Sequence, residues 1–338
     1  MNNNMNIAIL GATGAVGREM LKVLLERGVE PSRIRVLASA RSAGMVLECA
    51  GHSFPVAEAT EYSFAGADVV LGAASNALAK RFAPAIRAAG ALFVDNSSAF
   101  RMDADVPLVV PEINLADAKA HHGNISNPNC STIISMMALY PLAALSPIRS
   151  IVASTYQAVS GAGAGGLAEL EAQVRAYASG DALAKSVFPH QIAFNLIPQI
   201  GSDVGDGYTT EEMKMQNEGR KIMHLPDRTV TCTCVRVPVL RSHSISLTVR
   251  FERKITVAEA REAIAAAPGC LLRDDVASGI YPMPLDTSDQ DKVFVGRIRE
   301  DLTDPCGLTL WCCGDQLRKG AATNAVQIAL QAEPARNR

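Results

Sequence analysis

The first third of the chain alternates short apolar runs with segments of helical periodicity. Strands are predicted at NIAIL, IRVLA, ADVVLGAA and ALFVDNS, and helices from about Val16 and through LAKRFAPAIRAAG. Short apolar strands separated by helices are typical of a parallel sheet that is covered by helices on both faces. We therefore predict a doubly wound, Rossmann-like nucleotide-binding domain of the α/β class at the start of the chain.

The pattern changes later in the chain. Two long, β-branched segments alternate between apolar and polar positions, as strands do when one face of a sheet is covered: RTVTCTCVRVPVL and SHSISLTVRFERK. They predict a second, α+β domain that is built on a mixed sheet. We assign residues 1–128 and a C-terminal helix at 316–338 to the nucleotide-binding domain, and residues 129–315 to the second domain.

Composition and charge limit the kinds of molecule that we expect the chain to bind. The chain has 338 residues, of which 48% are hydrophobic, so it can bury a large core, and its formal net charge is -2. Because it has no long basic run, we expect a small-molecule partner and neither nucleic acid nor a membrane. No apolar stretch approaches the roughly 20 residues that cross a bilayer, and the start lacks the features of a signal peptide, so we expect a cytoplasmic protein.

A glycine-rich segment, ILGATGAVGRE, follows the first predicted strand and opens the first predicted helix. Glycines at such a turn let backbone N–H groups approach a pyrophosphate at the helix N-terminus. The spacing is GxxGxxG, a variant of the GxGxxG fingerprint, so an ordinary glycine-rich turn is the alternative. The residues predicted to bind the cofactor here are Gly11, Thr13, Gly14, Ala15, Val16 and Gly17.

The end of the second predicted strand indicates which nucleotide is bound. An acidic residue at this position binds the ribose hydroxyls of NAD, whereas a basic residue pairs with the 2′-phosphate of NADP. The segment VLASARSAG has no acid and places Ser39, Arg41 and Ser42 here. We predict NADP as the cofactor, and the alternative is that Arg41 is a solvated surface residue.

Cys130 differs in its setting from the other cysteines, which suggest neither a zinc site nor disulfides. The eight cysteines lack paired CxxC spacing, so we predict no metal site, and in a cytosolic protein we expect most of them to be reduced. In SNPNCSTI, Cys130 precedes a run of helical periodicity, and a helix N-terminus stabilises a thiolate. The alternative is a buried, inert thiol.

Two strands of the second domain carry polar residues on their apolar faces. A lone buried histidine is more often a hydrogen-bonded core residue than a catalyst. A buried guanidinium needs a carboxylate or phosphate partner, which a substrate can supply. By the two-residue period of a strand, His243 shares a face with Ile245, Leu247, Val249 and Phe251, and Arg236 shares one with Val230, Cys232 and Cys234.

Eight motifs follow one another in order between residues 11 and 327: GATGAVG, ASARSAG, DNSSAFRM, SNPNCSTI, STYQAVSGAG, TTEEMKM, RVPVLRSHS and KGAATNAVQ. Together they resemble the aspartate-semialdehyde dehydrogenase family over nearly the whole chain. The resemblance implies NADPH-dependent reduction of L-aspartyl 4-phosphate to L-aspartate 4-semialdehyde, with release of phosphate, on the route to lysine, methionine and threonine. It also implies a homodimer, which can pair as a tetramer.

The resemblance implies three catalytic residues. Cys130 would attack the acyl phosphate carbonyl and leave a thioester, which the nicotinamide hydride reduces. His243 would act as the acid and base for the thiol and hemithioacetal protons, a role suited by an unperturbed histidine pKa of about 6.5. Gln157 would orient the intermediate through a hydrogen bond from its side-chain amide.

The same resemblance implies the substrate and cofactor contacts. Arg236 would clamp the α-carboxylate of the substrate through its planar fork, and Glu212 would hold the ammonium group. A structural alternative exists for Glu212, because Thr209 and Glu212 have the spacing of a capping box. The phosphate would contact Arg101, Lys214 and Asn129, and the nicotinamide end of the cofactor would contact Ser160, Gly161 and Asn324.

Two other functions are open at this point. N-acetyl-γ-glutamyl-phosphate reductase shares the fold, the thioester chemistry and the cofactor, but its substrate carries an acylated amine. The segment PNCST and Glu212 favour a substrate with a free amino group. A non-catalytic NADP-binding sensor or assembly partner is the other function, and the joint presence of Cys130, Gln157, Arg236 and His243 argues against it.

Overall fold

The computed structural model describes residues 3–225, 227 and 229–333. This part of the chain forms two compact units. One is Cys130–Gly320, and the other contains the residues up to Asn129 together with those from Ala321 onward. The boundaries predicted from the sequence are 128/129 and 315/316, and the last five residues of the predicted C-terminal helix, 334–338, lie outside the described residues. None of the described helices is long and apolar enough to cross a bilayer.

The first unit is a doubly wound α/β domain. Its strands are β1 (Ile7–Leu10), β2 (Ile34–Ala38), β3 (Val46–Cys49), β4 (His52–Glu58), β5 (Val69–Gly72), β6 (Leu92–Asp95) and β7 (Asn124–Ser126). Its helices are α1 (Ala15–Glu26), α2 (Asn76–Ala88), α3 (Pro111–Asn114) and, from the end of the chain, α9 (Thr323–Gln331). Among the described residues these strands form one sheet in the order β3-β4-β2-β1-β5-β6-β7, in which only the β3–β4 pair is antiparallel.

Alternate residues of β1 show that both faces of this sheet are covered. Ile7 and Ile9 belong to the apolar core that contains residues of α1 and α9, whereas Ala8 and Leu10 belong to the core that contains residues of α2. Since both faces exclude water, the strand is apolar at every position. The doubly wound prediction is confirmed. The strand order changes direction at β1, between β2 and β5, which is where ligands bind in such folds.

The second unit is an α+β domain on a mixed sheet, as predicted. Its strands are β8 (Ile148–Gln157), β9 (Asp203–Gly205), β10 (Tyr208–Thr209), β11 (Thr229–Arg236), β12 (His243–Phe251), β13 (Cys270–Leu272), β14 (Val293–Glu300) and β15 (Gly307–Gly314). Its helices are α4 (Cys130–Ala143), α5 (Gly163–Ser179), α6 (Thr210–Met223), α7 (Val257–Ala266) and α8 (Pro284–Thr287). Within the described ranges, β9 pairs with β10 and the other strands pair in the order β11-β8-β12-β15-β14-β13.

Helix α4 covers one face of the six-stranded sheet. It contacts β8, β12, β14 and β15, and it also contacts α6 and α7. The covered face of β12 begins at His243, which is fully buried, whereas Ser246, Thr248 and Arg250 on the opposite face are partly exposed. The predicted faces of β11 and β12 are confirmed, because the following residues are all buried: Val230, Cys232, Cys234, Arg236, Ile245, Leu247, Val249 and Phe251.

Two features differ from the predicted pattern. The hairpin of β3 and β4 extends the first sheet, although the sequence pattern assigned no element there, because its strands are mostly exposed and lack a long apolar run. The chain's last helix opens with a π-helical turn, Arg318–Ala322, before it becomes the α-helical α9. Oδ1 of Asp315 accepts hydrogen bonds from the backbone N–H groups of Leu317 and Arg318, which holds the start of this turn.

Candidate active site

Three predicted site residues meet at one end of the six-stranded sheet because of its topology. Gln157 is the last residue of β8 and Arg236 is the last residue of β11. These strands are parallel, and the two residues are paired in register. Strand β12 runs antiparallel to β8 and begins at His243, so its first residue lies at the same end. Residues that are far apart in the chain are therefore brought together.

The backbone of Ala158 holds the side chains of both His243 and Arg236. Its N–H donates to Nδ1 of His243 at 3.0 Å, and its carbonyl accepts from Nη1 of Arg236 at 2.7 Å. Because Nδ1 accepts a backbone hydrogen bond, the neutral imidazole carries its proton on Nε2. Nε2 is buried and has no hydrogen-bond partner among the described residues. The site thus contains a buried Nε2–H donor that none of the described residues uses.

The pKa of His243 is lowered from 6.5 to about 3. Burial of the ring is the largest cause, because it disfavours the imidazolium, and the positive charge of Arg236 is the second; Glu211 opposes both. This corrects the expectation of an ordinary histidine pKa. The position on the apolar face that the sequence predicts is itself the reason for the lowered pKa.

Gly161 lies against both of these side chains. A β-carbon at this position would be 2.6 Å from Nη1 of Arg236 and 3.2 Å from Cε1 of His243. Only glycine therefore lets the short turn Val159–Ala162 approach so closely. Ser160, in the same turn, is buried, and its hydroxyl accepts a hydrogen bond from Nε2 of Gln316. The contact of this turn with the cofactor stays a prediction.

Cys130 is the first residue of α4 and is partly buried. Burial lowers the pKa of Arg236, and nearby negative groups oppose this, the largest being the charge at Cys130. The thiol and the guanidinium are therefore close enough to interact electrostatically. Arg236 forms no ion pair with any of the described residues. Its guanidinium can take an anionic group of a ligand.

Two adjacent glutamates at the start of α6 make different contacts. Glu212 completes a capping box: its Oε2 accepts from the N–H of Thr209 at 2.8 Å. Its Oε1 accepts from the N–H of Cys234 at 3.0 Å. The carboxylate of Glu211 instead accepts from Nε2 of Gln157 at 3.2 Å and pairs with Nζ of Lys214 at 2.9 Å. Both carboxylate oxygens of Glu212 therefore accept backbone hydrogen bonds, which makes Glu211 an alternative candidate for the ammonium site. The predicted ammonium role of Glu212 stays a prediction.

Glu211 is a candidate site residue that sequence reasoning missed, although a signal for it was present. A capping box uses the carboxylate at its fourth position for the backbone of the first, so recognising the box at Thr209 removes Glu212 from the candidates. Glu211 and Lys214 also have the spacing of two residues on the same helix face. These two facts together point to the Glu211–Lys214 pair.

The glycine loop of the first unit fits a pyrophosphate. Gly11 has φ +86°, and a β-carbon there would be 2.4 Å from the carbonyl oxygen of Ala73. A β-carbon at Gly17 would be 2.3 Å from the carbonyl oxygen of Gly11.

Gly14 differs from these two glycines. It has φ −75°, and a β-carbon there would be 3.5 Å from the nearest atom, so the fold does not require a glycine at this position. It precedes α1, whose N-terminus has no side-chain cap. Thr13, Ala15 and Val16 belong to the same turn, whose N–H groups suit an anion.

The residues predicted to select the nucleotide follow β2. Ala40–Ser42 form a short 3₁₀ turn with Ser39 before it, and Arg41 is exposed. Arg41 makes no hydrogen bond or ion pair with the described residues. Its guanidinium is free to meet an anionic ligand, as the sequence-based hypothesis requires.

Asn127 connects two further predicted residues of the first unit. Its carbonyl accepts from Nε of Arg101 at 2.9 Å, and its Oδ1 accepts from Nδ2 of Asn324 at 2.7 Å. Arg101, Asn324 and Asn129 are all buried. The predicted contacts of Arg101 and Asn129 with phosphate, and of Asn324 with the nicotinamide, stay predictions.

Cys232, Cys312 and Cys313 lie in settings that oppose ionisation. Cys232 and Cys234 project from the same face of β11, as predicted, with their Sγ atoms 3.7 Å apart. The hydrogen bond to Cys234, followed by burial, raises the pKa of Cys232, and burial raises the pKa of Cys312 and Cys313. Over the described ranges, no group of three or more His, Cys, Asp or Glu side chains is arranged to hold a metal ion.

Known proteins resemble the chain over almost its full length. Residues 6–121 match the family model for the semialdehyde dehydrogenase NAD binding domain, and residues 139–319 match that for the semialdehyde dehydrogenase dimerisation domain. The aspartate-semialdehyde dehydrogenase of Synechocystis sp. is 49% identical over 329 residues, which are 97% of each chain, and that of Aquifex aeolicus is 48% identical over 96% of each. The chain belongs to the aspartate-semialdehyde dehydrogenase family.

A solved member of the aspartate-semialdehyde dehydrogenase family has the same fold. The structure of aspartate semialdehyde dehydrogenase II from Vibrio cholerae complexed with ASA matches with a TM-score of 0.94 and 40% identity, over 97% of each chain. The first unit is therefore an NAD(P)-binding domain, and it contains the glycine loop. The dimerisation-domain match contains Gln157, Arg236 and His243, and Cys130 lies between the two matched ranges.

Gly11→Ala and Gly14→Ala should have different effects on the protein. The first forces a β-carbon into Ala73 at a positive φ, so we expect a lower Tm. The second keeps the fold but adds a methyl group at the start of α1, where the glycine loop is predicted to hold the pyrophosphate. We expect Gly14→Ala to have the wild-type Tm and an NADPH Kd raised by roughly three- to tenfold, the equivalent of one hydrogen bond. Thermal unfolding and fluorescence titration measure both, and unchanged NADPH binding in Gly14→Ala would contradict the loop assignment.

His243 should make the fold sensitive to acid. Its pKa is about 3 in the folded protein and about 6.5 in the unfolded chain, so between these values the unfolded state binds the extra proton. The stability from the neutral ring is complete above about pH 6.5 and is lost as pH falls toward about 3. We expect His243→Asn to lose less free energy of unfolding than the wild type when pH falls from about 6.5 to 4.5, as measured by urea denaturation. The exposed His52, changed to Asn, is the control; equal slopes for His243→Asn and wild type would refute the shift.

Proposed function

We propose that the chain catalyses the NADPH-dependent reductive dephosphorylation of L-aspartyl 4-phosphate to L-aspartate 4-semialdehyde, in the biosynthesis of lysine, methionine and threonine. The observation that carries the proposal is the convergence of Gln157, Arg236 and His243 at one end of a sheet. Cys130 lies close enough to affect the pKa of Arg236. Membership of the aspartate-semialdehyde dehydrogenase family supports the same reaction.

Cys130 is the proposed nucleophile. Its place at the N-terminus of α4 favours the thiolate, because the N–H groups and the helix dipole stabilise negative charge there. The thiolate attacks the acyl carbonyl, the bond to the phosphate oxygen breaks, and a thioester forms on Cys130. NADPH, when bound, supplies the hydride that reduces the thioester. The resulting hemithioacetal collapses, which releases the semialdehyde and restores the thiolate.

His243 first acts as a hydrogen-bond donor in this mechanism. Its buried Nε2–H can donate to the substrate oxygen on which negative charge develops. An anionic substrate beside Arg236 reduces the positive potential at the ring, and this raises the pKa of His243 from its lowered value. The imidazole therefore becomes a better proton carrier in the loaded site than in the free protein.

Arg236 and Glu211 are proposed to recognise the amino-acid part of the substrate. The guanidinium has one hydrogen bond to the carbonyl of Ala158 and can still bind the α-carboxylate with its other N–H groups. The carboxylate of Glu211 is proposed to hold the ammonium group, in place of Glu212. Lys214, with its side chain 29% exposed, is proposed to contact the phosphate. Arg101 and Asn129 keep their predicted part in phosphate binding.

NADP is the proposed cofactor. The turn after β2 carries Ser39, Arg41 and Ser42 and has no acid for the ribose hydroxyls of NAD. The exposed guanidinium of Arg41 suits the 2′-phosphate. The glycine loop is proposed to hold the pyrophosphate through the backbone of Gly11–Gly17.

We also propose a homodimer, which can pair as a tetramer. The face of the six-stranded sheet opposite α4 carries exposed apolar residues, among them Val152. Tyr156 and Trp311 stack on it with ring centroids 5.3 Å apart. The match to a dimerisation domain supports the dimer, and the exposed apolar residues favour this face as the interface.

The direct test of the reaction measures NADPH formation from L-aspartate 4-semialdehyde with and without phosphate. We expect phosphate-dependent turnover that Cys130→Ala lowers by at least about 10³-fold, because the covalent step is lost, while NADPH binding is retained. Cys306→Ala is the control, since this partly buried cysteine lies outside the site. Turnover near the wild-type rate in Cys130→Ala would refute the proposed thioester intermediate. Turnover of the N-acetylated glutamate semialdehyde, and not of L-aspartate 4-semialdehyde, would refute the proposed substrate.

Substitutions of the two adjacent glutamates should have different effects: one on the KM and the other on the Tm. Glu211→Gln removes the charge at the proposed ammonium site, so we expect the KM for the semialdehyde to rise by about 10–100-fold, the usual range for one charged hydrogen bond. Glu212→Gln weakens the cap of α6, so we expect a lower Tm and a KM within about twofold of wild type. Steady-state kinetics and thermal unfolding measure both; a KM effect confined to Glu212→Gln would return the role to Glu212.

A further inference from the structure

A cavity opens in the first unit at the end of the sheet where the parallel strands begin. Its volume is about 390 Å³, and it is lined by residues near the starts of β1, β2 and β4. The glycine loop follows the other end of β1. At about 3.3 Å per residue, Gly11 lies roughly 10 Å beyond Ala8, which lines the cavity. The cavity is therefore separate from the predicted pyrophosphate site.

Pro55 explains why the sheet is open at this point. Strands β2 and β4 pair in parallel from Val36 and Val56 onward. Val56 donates its N–H to the carbonyl of Met45, on the side of β4 that faces away from β2. Since successive N–H groups of a strand point in opposite directions, the group toward β2 would be that of residue 55, and proline has none. The pairing therefore starts only at Val56, and the space before it stays open.

Two arginines line the cavity and are anchored there by backbone carbonyl groups. Nη1 of Arg33 donates to the carbonyl of Asn4 at 2.7 Å, and Nη1 of Arg35 donates to that of Ser63 at 2.6 Å. Their other hydrogen bonds to the described residues also come from Nη1, so Nε and Nη2 of both side chains are available to a ligand. Because the side chains are already held in place, a ligand loses less free energy in ordering them.

No carboxylate pairs with these two charges in the part of the chain that the structure describes. Arg33 and Arg35 make no ion pair with the described residues, and the lining of the cavity contains no aspartate or glutamate. Asp68 lies outside this lining, and its Oδ2 accepts from the backbone N–H of Asn6 at 2.8 Å. Two anchored cations without an acidic partner favour a ligand with negative charge.

The floor of the cavity is apolar. It includes the following buried residues: Ile7, Ile34, Val36, Phe54 and Ala67. An apolar group that packs against such a floor leaves water, which adds to the attraction that the arginines provide. The lining therefore favours an organic anion over an inorganic one.

We infer that this cavity is a second ligand site, which binds a small organic anion that carries an apolar group. The anionic group pairs with the Nε and Nη2 groups of Arg33 and Arg35, and the apolar group packs on the floor. Because the cavity and the glycine loop lie at opposite ends of β1, the ligand does not compete with NADPH. The inference goes beyond the proposed function and does not depend on it.

Phenyl phosphate is the probe, because it joins a negatively charged group to an apolar ring. We expect calorimetric titration of the NADPH-loaded protein to show saturable binding with a Kd of about 1 mM or lower, as is usual for a ligand of this size. Arg33→Gln and Arg35→Gln each remove one charge and should raise this Kd by at least about tenfold. Inorganic phosphate should bind to the cavity more weakly than phenyl phosphate, because it has no apolar group.

Three further variants show where the probe binds. Ser32 is exposed and lines the cavity, so Ser32→Tyr narrows the entrance while both arginines stay, and it should also prevent binding. It carries the test if an arginine variant has a lower Tm. Arg175→Gln is the matched control for the loss of an exposed arginine and should leave the Kd unchanged. Lys214→Gln removes a cation from the proposed phosphate contact and should also leave it unchanged.

The outcomes are distinct. Weaker binding in both arginine variants and in Ser32→Tyr, with the Kd retained in Arg175→Gln and Lys214→Gln, supports the inference. A wild-type Kd in the arginine variants overturns it, as does the absence of saturable binding to the wild type up to about ten times the expected Kd. Binding that NADPH displaces, or that Lys214→Gln removes, also overturns it, because the probe would then occupy the site of the proposed reaction.

The reaction is measured separately in the same variants. Phosphate-dependent NADPH formation in Arg33→Gln and Arg35→Gln should stay within about twofold of wild type, because neither residue belongs to the proposed site. A wild type that binds phenyl phosphate in the cavity but forms no NADPH would overturn the proposed function and leave the second site standing.

Discussion

The peptide of Ala158 is the contact on which the candidate site depends. Its carbonyl accepts from Arg236 and its N–H donates to His243, so one residue at the end of β8 sets the positions of a cation and an imidazole. A buried guanidinium without such a partner would be costly. Burial of the ring is the main reason why the pKa of His243 is lowered, and the nearby charge of Arg236 lowers it further. The peptide thus sets the position of the imidazole and contributes to its protonation state.

Several parts of the site are predictable from sequence because they depend on local periodicity. The alternation along β12 places His243 on the covered face, and the helical run after SNPNC places Cys130 at the start of α4. The capping box at Thr209 is likewise visible in the spacing of its two residues. In each case the decisive contacts are made within one strand or one helix, so the pattern of the chain is sufficient.

Other parts depend on contacts between distant segments and could not be predicted in this way. Gln157 meets Arg236 because β8 and β11 pair in parallel register, and neither strand's own pattern contains that register. The pKa of His243 depends on burial by several elements and on a charge from another strand. The choice between Glu211 and Glu212 depends on how α6 is rotated against the sheet, which places one carboxylate near Gln157 and the other near Cys234.

Helix α4 has a consequence for how such a site can change. It is apolar on nearly all sides and is buried from Ser131 to Leu139, so it cannot shift without disturbing packing around its whole circumference. Cys130 is the first residue of α4 and is therefore held in place with it. The other residues of the candidate site in this unit lie instead on strand ends, on the turn at Gly161 and at the start of α6. Substitutions in these surroundings can change which substrate the site accepts, while the sulfur atom keeps its position.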